Sequence, residues 1–168
     1  MQHRVFLGLG SNLGDRQANL FRAMKLLEPE IGIESVSSIY KTEPWGVQEQ
    51  PYFLNCAVAA NTSLTPYELL VKLKSIEKKM GRQPTFRYGP RLVDIDLLLY
   101  DELIMSTDEL TIPHPRMLER AFVLVPLAEI AGSLLHPIRK LSFRQLADEI
   151  NKSGVELYDS NMKDEEDG

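Results

Sequence analysis

Arg87-Tyr88-Gly89-Pro90-Arg91-Leu92-Val93-Asp94-Ile95-Asp96-Leu97-Leu98-Leu99-Tyr100 is the stretch on which the fold turns. From residue 92 to residue 100 it alternates as a strand does. Val93, Ile95, Leu97 and Leu99 are expected on one face, with Asp94, Asp96, Leu98 and Tyr100 on the other. The rise along a strand sets the Cα atoms of the two aspartates about 6.5–7 Å apart. Both carboxylates then reach one hard cation, or two cations roughly 3.5–4 Å apart. Like charges two positions apart on one face repel unless a cation joins them, and apolar Leu92, Leu98 and Tyr100 argue against a merely wet face. Just upstream, Arg82, Arg87 and Arg91 carry forked donors suited to phosphate oxygens. Metal-binding carboxylates beside phosphate-binding guanidiniums imply nucleotide chemistry.

Outward from this strand, the chain alternates elements through Tyr100 as strand, helix, strand, strand, helix, strand. Residues 4–9 read as the first strand, followed by a glycine-rich turn over 8–14 and a helix opened by Asp15. Residues 33–40 and 52–61 read as the next two strands, with a polar loop over 41–51 between them. Thr65-Pro66-Tyr67-Glu68 is a capping box with proline at the first helical position, and Gly81 ends that helix. Beyond Tyr100 the pattern predicts a short edge strand over 103–105 and a rigid turn at Ile112-Pro113-His114-Pro115-Arg116. It also predicts a helix over 117–131 despite Pro126, and a last helix from Ser142 to about Asn151. The βαββαβ order predicts an α+β, ferredoxin-like sandwich with additional C-terminal helices. One domain over 1–158 is expected, with an acidic, disordered tail over 159–168.

The totals narrow the function. The chain has 168 residues, 43% hydrophobic and 26% charged, with net charge −5. A sequence pI near 5.3 is the wrong sign for a broad nucleic-acid surface. Cys56, the single cysteine, excludes an internal disulfide and reads as a small core residue. With no N-terminal signal in Met1-Gln2-His3-Arg4 and no apolar run near the ~20 residues of a membrane span, a soluble cytoplasmic protein is expected. The glycines at 8, 10 and 14 are spaced one residue too wide for a dinucleotide fingerprint, so a strand-to-helix turn explains them. Asn55 stands out in a strand otherwise of Leu, Ala and Val, because a buried amide needs partners and can both donate to and accept from a flat heterocycle. Thr42 could add another hydrogen bond, and His114 and Arg120 are phosphate-donor candidates.

With these residues assembled, the sequence resembles the 6-hydroxymethyl-7,8-dihydropterin pyrophosphokinases of folate biosynthesis. Arg87 to Leu98 carries the most specific part of the likeness. Gly8-Leu9-Gly10-Ser11-Asn12-Leu13, Gln50-Pro51-Tyr52-Phe53-Leu54-Asn55 and Leu110-Thr111-Ile112-Pro113-His114-Pro115 add to it. The resemblance implies pyrophosphate transfer from ATP to the pterin hydroxymethyl group, releasing AMP. It implies two Mg²⁺ ions on Asp94 and Asp96, with Arg82 and Arg91 closing over the phosphates and Arg87 in the same loop. On the nucleotide side it implies Leu70, Lys74, Glu77, Leu97, Thr111, His114 and Arg120. Around the pterin it implies Phe53 and Phe122 as a sandwich, Asn55 and Thr42 as edge readers, and backbone groups near Pro44 and Trp45. The partners so implied are two small molecules, with no nucleic acid or membrane; a monomer is expected, a dimer the alternative. The sequence departs from the family pattern at Tyr88, where tryptophan is common, at Phe53, where tyrosine is common, and at Glu43, which replaces a more apolar neighbour. A magnesium-dependent phosphohydrolase and a non-enzymatic nucleotide- or RNA-binding module are the rival readings.

Overall fold

The computed structural model describes residues 1–43, 51–81 and 92–158. Strand β1 (His3–Ser11) leads to helix α1 (Arg16–Leu27), whose N-cap Asp15 accepts the Ala18 N–H at 3.1 Å. Strands β2 (Ile31–Val36), β3 (Tyr40–Thr42) and β4 (Phe53–Thr62) follow, then α2 (Pro66–Lys79). The capping box at Thr65 forms reciprocally: Glu68 N–H donates to Thr65 Oγ1, and Thr65 N–H donates to Glu68 Oε1. Next come β5 (Asp94–Tyr100), the small hairpin of β6 (Met105–Ser106) and β7 (Thr111–Ile112), α3 (Ala121–Ala131), α4 (Phe143–Glu149) and β8 (Val155–Leu157).

The main sheet is antiparallel, ordered β5-β1-β4-β3-β8, with β2 also paired to β4. Its two faces bury separate apolar clusters. Val5, Leu7, Leu9, Leu54, Val58 and Ile95 pack under α1 and α2. Phe6, Ala57, Ala59, Leu98 and Leu99 pack under α3 and α4. This is an α+β architecture with helices on both sides of the sheet. Among the described residues, no helix is long and apolar enough to cross a membrane.

Four local expectations are corrected. The alternation of β5 does not run to its end: Phe6 pairs with Leu99 while Leu7 pairs with Leu97, so Leu98 is an extra residue, a β-bulge. Leu99 therefore joins Leu98 under α3 and α4, whereas Tyr100 crosses to the α1/α2 side and donates its hydroxyl to the Leu64 carbonyl at 2.7 Å. The strand expected over 33–40 is two strands. They break at Ser37, whose Oγ accepts the Ala57 N–H at 2.8 Å where a backbone carbonyl would continue the ladder. The helix expected over 117–131 is a 3-10 turn, Met117–Glu119, separated from α3 by Arg120 in extended conformation at φ −118°. Residues 8–11 belong to β1 rather than to a turn. β8 was not legible at all: three residues after a polar stretch carry no usable period.

Candidate active site

The carboxylate half of β5 opens into a cleft of about 450 Å³ on the sheet face that α3 leaves uncovered. Gly8 and Gly10 of β1, Phe53, Asn55 and Ala57 of β4, and Asp94, Asp96 and Leu98 of β5 form its floor. Lys74 and Glu77 come from α2, Thr42 and Glu43 from the end of β3, and His114, Pro115 and Arg116 from the proline turn. Arg120, Phe122 and Val123, at the start of α3, close the last side.

Asp94 and Asp96 are half-buried, on the same phase of the strand, while Val93, Ile95 and Leu97 are buried behind them. Among the described residues β5 is an edge strand, with no neighbouring strand for its outward N–H groups. Buried Glu77 fills that role between the two aspartates: its Oε2 accepts the Ile95 N–H at 2.8 Å. Leu98 fills the space above Gly8, and its carbonyl accepts the His114 N–H at 3.0 Å. The bulged residue thus anchors the turn that brings His114 to the aspartates.

His114 Nδ1 accepts the Arg116 N–H at 3.1 Å, so the neutral ring carries its proton on Nε2 as a donor. Burial lowers the His114 pKa below its ordinary 6.5; Asp96 pulls it back up, and Arg120 and Arg116 push it down again. Arg120 lies over the Phe122 ring at 5.5 Å. Opposite, buried Asn55 donates Nδ2–H to Thr42 Oγ1 at 2.6 Å. Gly10 makes room for that amide, since a Cβ at position 10 would stand 2.5 Å from Asn55 Oδ1. Cys56 also borders the cleft, but burial raises its thiol to about 12, so it stays protonated and is no nucleophile at neutral pH.

Of the residues singled out from sequence, Thr42, Phe53, Asn55, Lys74, Glu77, Asp94, Asp96, His114, Arg120 and Phe122 converge on this one cleft. Leu70, Leu97 and Thr111 do not line it. Leu97 falls on the opposite phase of β5 and joins the core under α2, Leu70 packs against that same core, and Thr111 sits in the β6–β7 hairpin. Pro44, Trp45, Arg82, Arg87 and Arg91 lie outside the described residues. Arg116 and the β1 glycines line the cleft without having been assigned to it from sequence, and Glu43, which the resemblance places in the pterin loop as a departure from the family pattern, lines it too. Arg116 was within reach, standing directly after the Pro-His-Pro turn; Gly10 was masked by its resemblance to a turn glycine. Among the described residues, no group of three or more His, Cys, Asp or Glu side chains gathers as a self-contained metal cage.

Comparison with known proteins gives the family. Residues 6–132 match the family model described as 7,8-dihydro-6-hydroxymethylpterin-pyrophosphokinase. The chain is 43% identical over 145 residues to the 2-amino-4-hydroxy-6-hydroxymethyldihydropteridine pyrophosphokinase of Aquifex aeolicus, covering 86% of this chain and 91% of that one. It is 49% identical over 133 residues to a folic acid synthesis protein of Dictyostelium discoideum, covering 79% of this chain but only 20% of that longer one. The wild-type HPPK-DHPS of Plasmodium falciparum, solved with pteroate, shares the fold at TM-score 0.74 and 15% identity, over 89% of this chain and 44% of that one. On sequence match, fold and cleft together, the chain belongs to the 7,8-dihydro-6-hydroxymethylpterin-pyrophosphokinase family.

Proposed function

We infer that the protein transfers the terminal pyrophosphate of ATP to the hydroxymethyl oxygen of 6-hydroxymethyl-7,8-dihydropterin in folate synthesis, releasing AMP. The observation that carries this reading is one cleft holding two strand carboxylates beside a slot with Phe53, Phe122, Asn55 and Thr42 on its walls. The reading takes residues 1–158 as one catalytic domain. It takes the sheet as ferredoxin-like, supported by the antiparallel β5-β1-β4 order with β2 and β3 on the far side of β4.

Two strand carboxylates, with no group of three or more His, Cys, Asp or Glu side chains gathered among the described residues, fit magnesium, which keeps several waters and is completed by substrate phosphates rather than by a protein cage. Asp94 and Asp96 would hold it, in two ions. Magnesium bound there would supply charge neutralisation for the transferring group and a lower pKa for the attacking hydroxyl. The remaining work belongs to the chain. His114 Nε2–H and the Arg120 guanidinium donate to phosphate oxygens. Asn55 and Thr42 read the polar edge of the ring, and Phe53 and Phe122 fix its plane. Arg82, Arg87 and Arg91 extend the phosphate contacts in this reading. Transfer of this kind needs positioning and charge neutralisation more than a protein nucleophile, consistent with a Cys56 held protonated.

The test is AMP release from ATP and magnesium with and without the hydroxymethyl pterin. Pterin-dependent AMP is expected; AMP or ADP formed equally without pterin would establish a phosphohydrolase instead. Asp96→Ala should lower turnover by at least about a thousandfold, the scale of several kcal/mol of lost charge stabilisation. Its far-ultraviolet circular dichroism should stay unchanged, and a variant that keeps its turnover would refute the metal assignment.

A further inference from the structure

Glu129, on α3, stands outside the cleft, yet three hydrogen bonds converge on its carboxylate. Oε2 accepts the Ser38 N–H at 2.7 Å and the Ser38 hydroxyl at 3.1 Å, and Oε1 accepts the Tyr40 hydroxyl at 2.6 Å. The donors sit at the start of β3 and on the residues leading into it. Burial and then Glu129 raise the Tyr40 phenol to about 12, so it remains a donor throughout the neutral range.

The geometry on either side of this cluster leads to the ring slot. Along α3, Glu129 lies seven residues, about two turns, after Phe122, which places both on the same helix face. Along β3, Tyr40 and Thr42 share a strand face. In the ladder, Tyr40 stands opposite Asn55 and Thr42 opposite Phe53, and Asn55 bonds Thr42. One end of each element therefore borders the slot, and the Glu129 cluster joins their other ends. Apolar packing holds α3 to β4 and α4. β3 has three residues, and Glu129 supplies a directional polar tie from α3 to it.

We propose that Glu129 is a positioning residue: through Tyr40 and Ser38 it fixes the separation of α3 from β3, and with it the width of the slot that takes the flat heterocycle. The inference rests on the functional reading above and deepens it by naming what sets ring affinity from outside the cleft. Because apolar contacts carry the α3 interface, the loss should fall on ring binding and not on the fold as a whole.

The experiment measures binding of the hydroxymethyl pterin by fluorescence in the presence of magnesium and a non-hydrolysable ATP analogue, and binding of that analogue alone. For Glu129→Ala, roughly five- to tenfold weaker pterin binding is expected, with analogue binding within about twofold. Glu129→Gln should recover most of the loss, because its amide oxygen still accepts from Ser38 and its N–H can donate to the Tyr40 oxygen. Tyr40→Phe, which leaves the Ser38 bonds intact, should show a smaller loss and add little on top of Glu129→Ala; it also serves where Glu129→Ala folds poorly. Pterin affinity within twofold of the unchanged protein in both Glu129→Ala and Tyr40→Phe overturns the proposal, as does an equal loss for both ligands. Failure of the unchanged protein to bind the pterin at all would overturn the functional reading itself.

Discussion

At the scale of single residues, Gly10 shows how closely this site is built. A side chain there would press its Cβ to 2.5 Å from Asn55 Oδ1, and the amide cannot retreat without disturbing its bond to Thr42. Gly10→Ala should therefore weaken pterin binding roughly tenfold, about 1.4 kcal/mol, while leaving the ATP analogue alone. Fluorescence titration checks this, and unchanged ring affinity would remove Asn55 from the slot. Asp94, Asp96 and Asn55 were legible in the sequence because each breaks a pattern: acids on a mostly apolar strand, an amide in an apolar one. Gly10 was not, since a glycine required by a neighbour's approach is spelled like one required by a turn. Glu129 was not legible either; a carboxylate on a helix reads as solvated until its partners, some ninety residues away, are known.

Elements were read best where local chemistry alone decides them. The Thr65 capping box fixes the start of α2 whatever the tertiary context, and it was found where expected. Elements whose form depends on a distant partner were read less well. The bulge at Leu98 exists only in register with β1, and the break between β2 and β3 depends on Ser37 meeting Ala57. β8 is the extreme case. It adds to β3 as an edge strand, with Gly154 O accepting the Glu43 N–H at 3.0 Å and Tyr158 N–H donating to Ile39 O at 2.9 Å. Gly154, at φ +81°, leaves the space that the Glu43 side chain fills. A chain ending at Lys152 should lose about 1–3 kcal/mol of stability from these hydrogen bonds, and its KM for pterin should rise several-fold through the freed Thr42–Glu43 end. Denaturant unfolding and steady-state kinetics measure the two effects, with a chain ending at Tyr158 as control. Equal pterin KM values in the two chains would dissociate β8 from the cleft.

For the molecule as a whole, acid is the condition to which the structure is sensitised. Buried His136 accepts the Ile138 and Arg139 N–H groups at Nδ1, and burial, then Arg139, lowers its pKa below 6.5. As pH falls through 6.5 the unfolded chain takes up this proton first, so the contribution to stability is full above that pH and is lost below it. Stability should fall as pH drops below about 6.5, and His136→Asn, which keeps an acceptor oxygen for both N–H groups, should flatten that slope. Chemical unfolding at several pH values decides it; an identical slope in the variant would exclude His136 as a source. The α+β class was legible in the alternation of strands and helices, whereas the use of both sheet faces depended on α3 and α4 returning across Ala57 and Ala59. The Glu77–Ile95 contact has a consequence at this scale too. A bare flank of a sheet invites a stray chain to extend it, and here the β5 flank has a main-chain donor already engaged by an internal acid. Growth by strand addition is thereby discouraged at that margin, the one that borders the cleft.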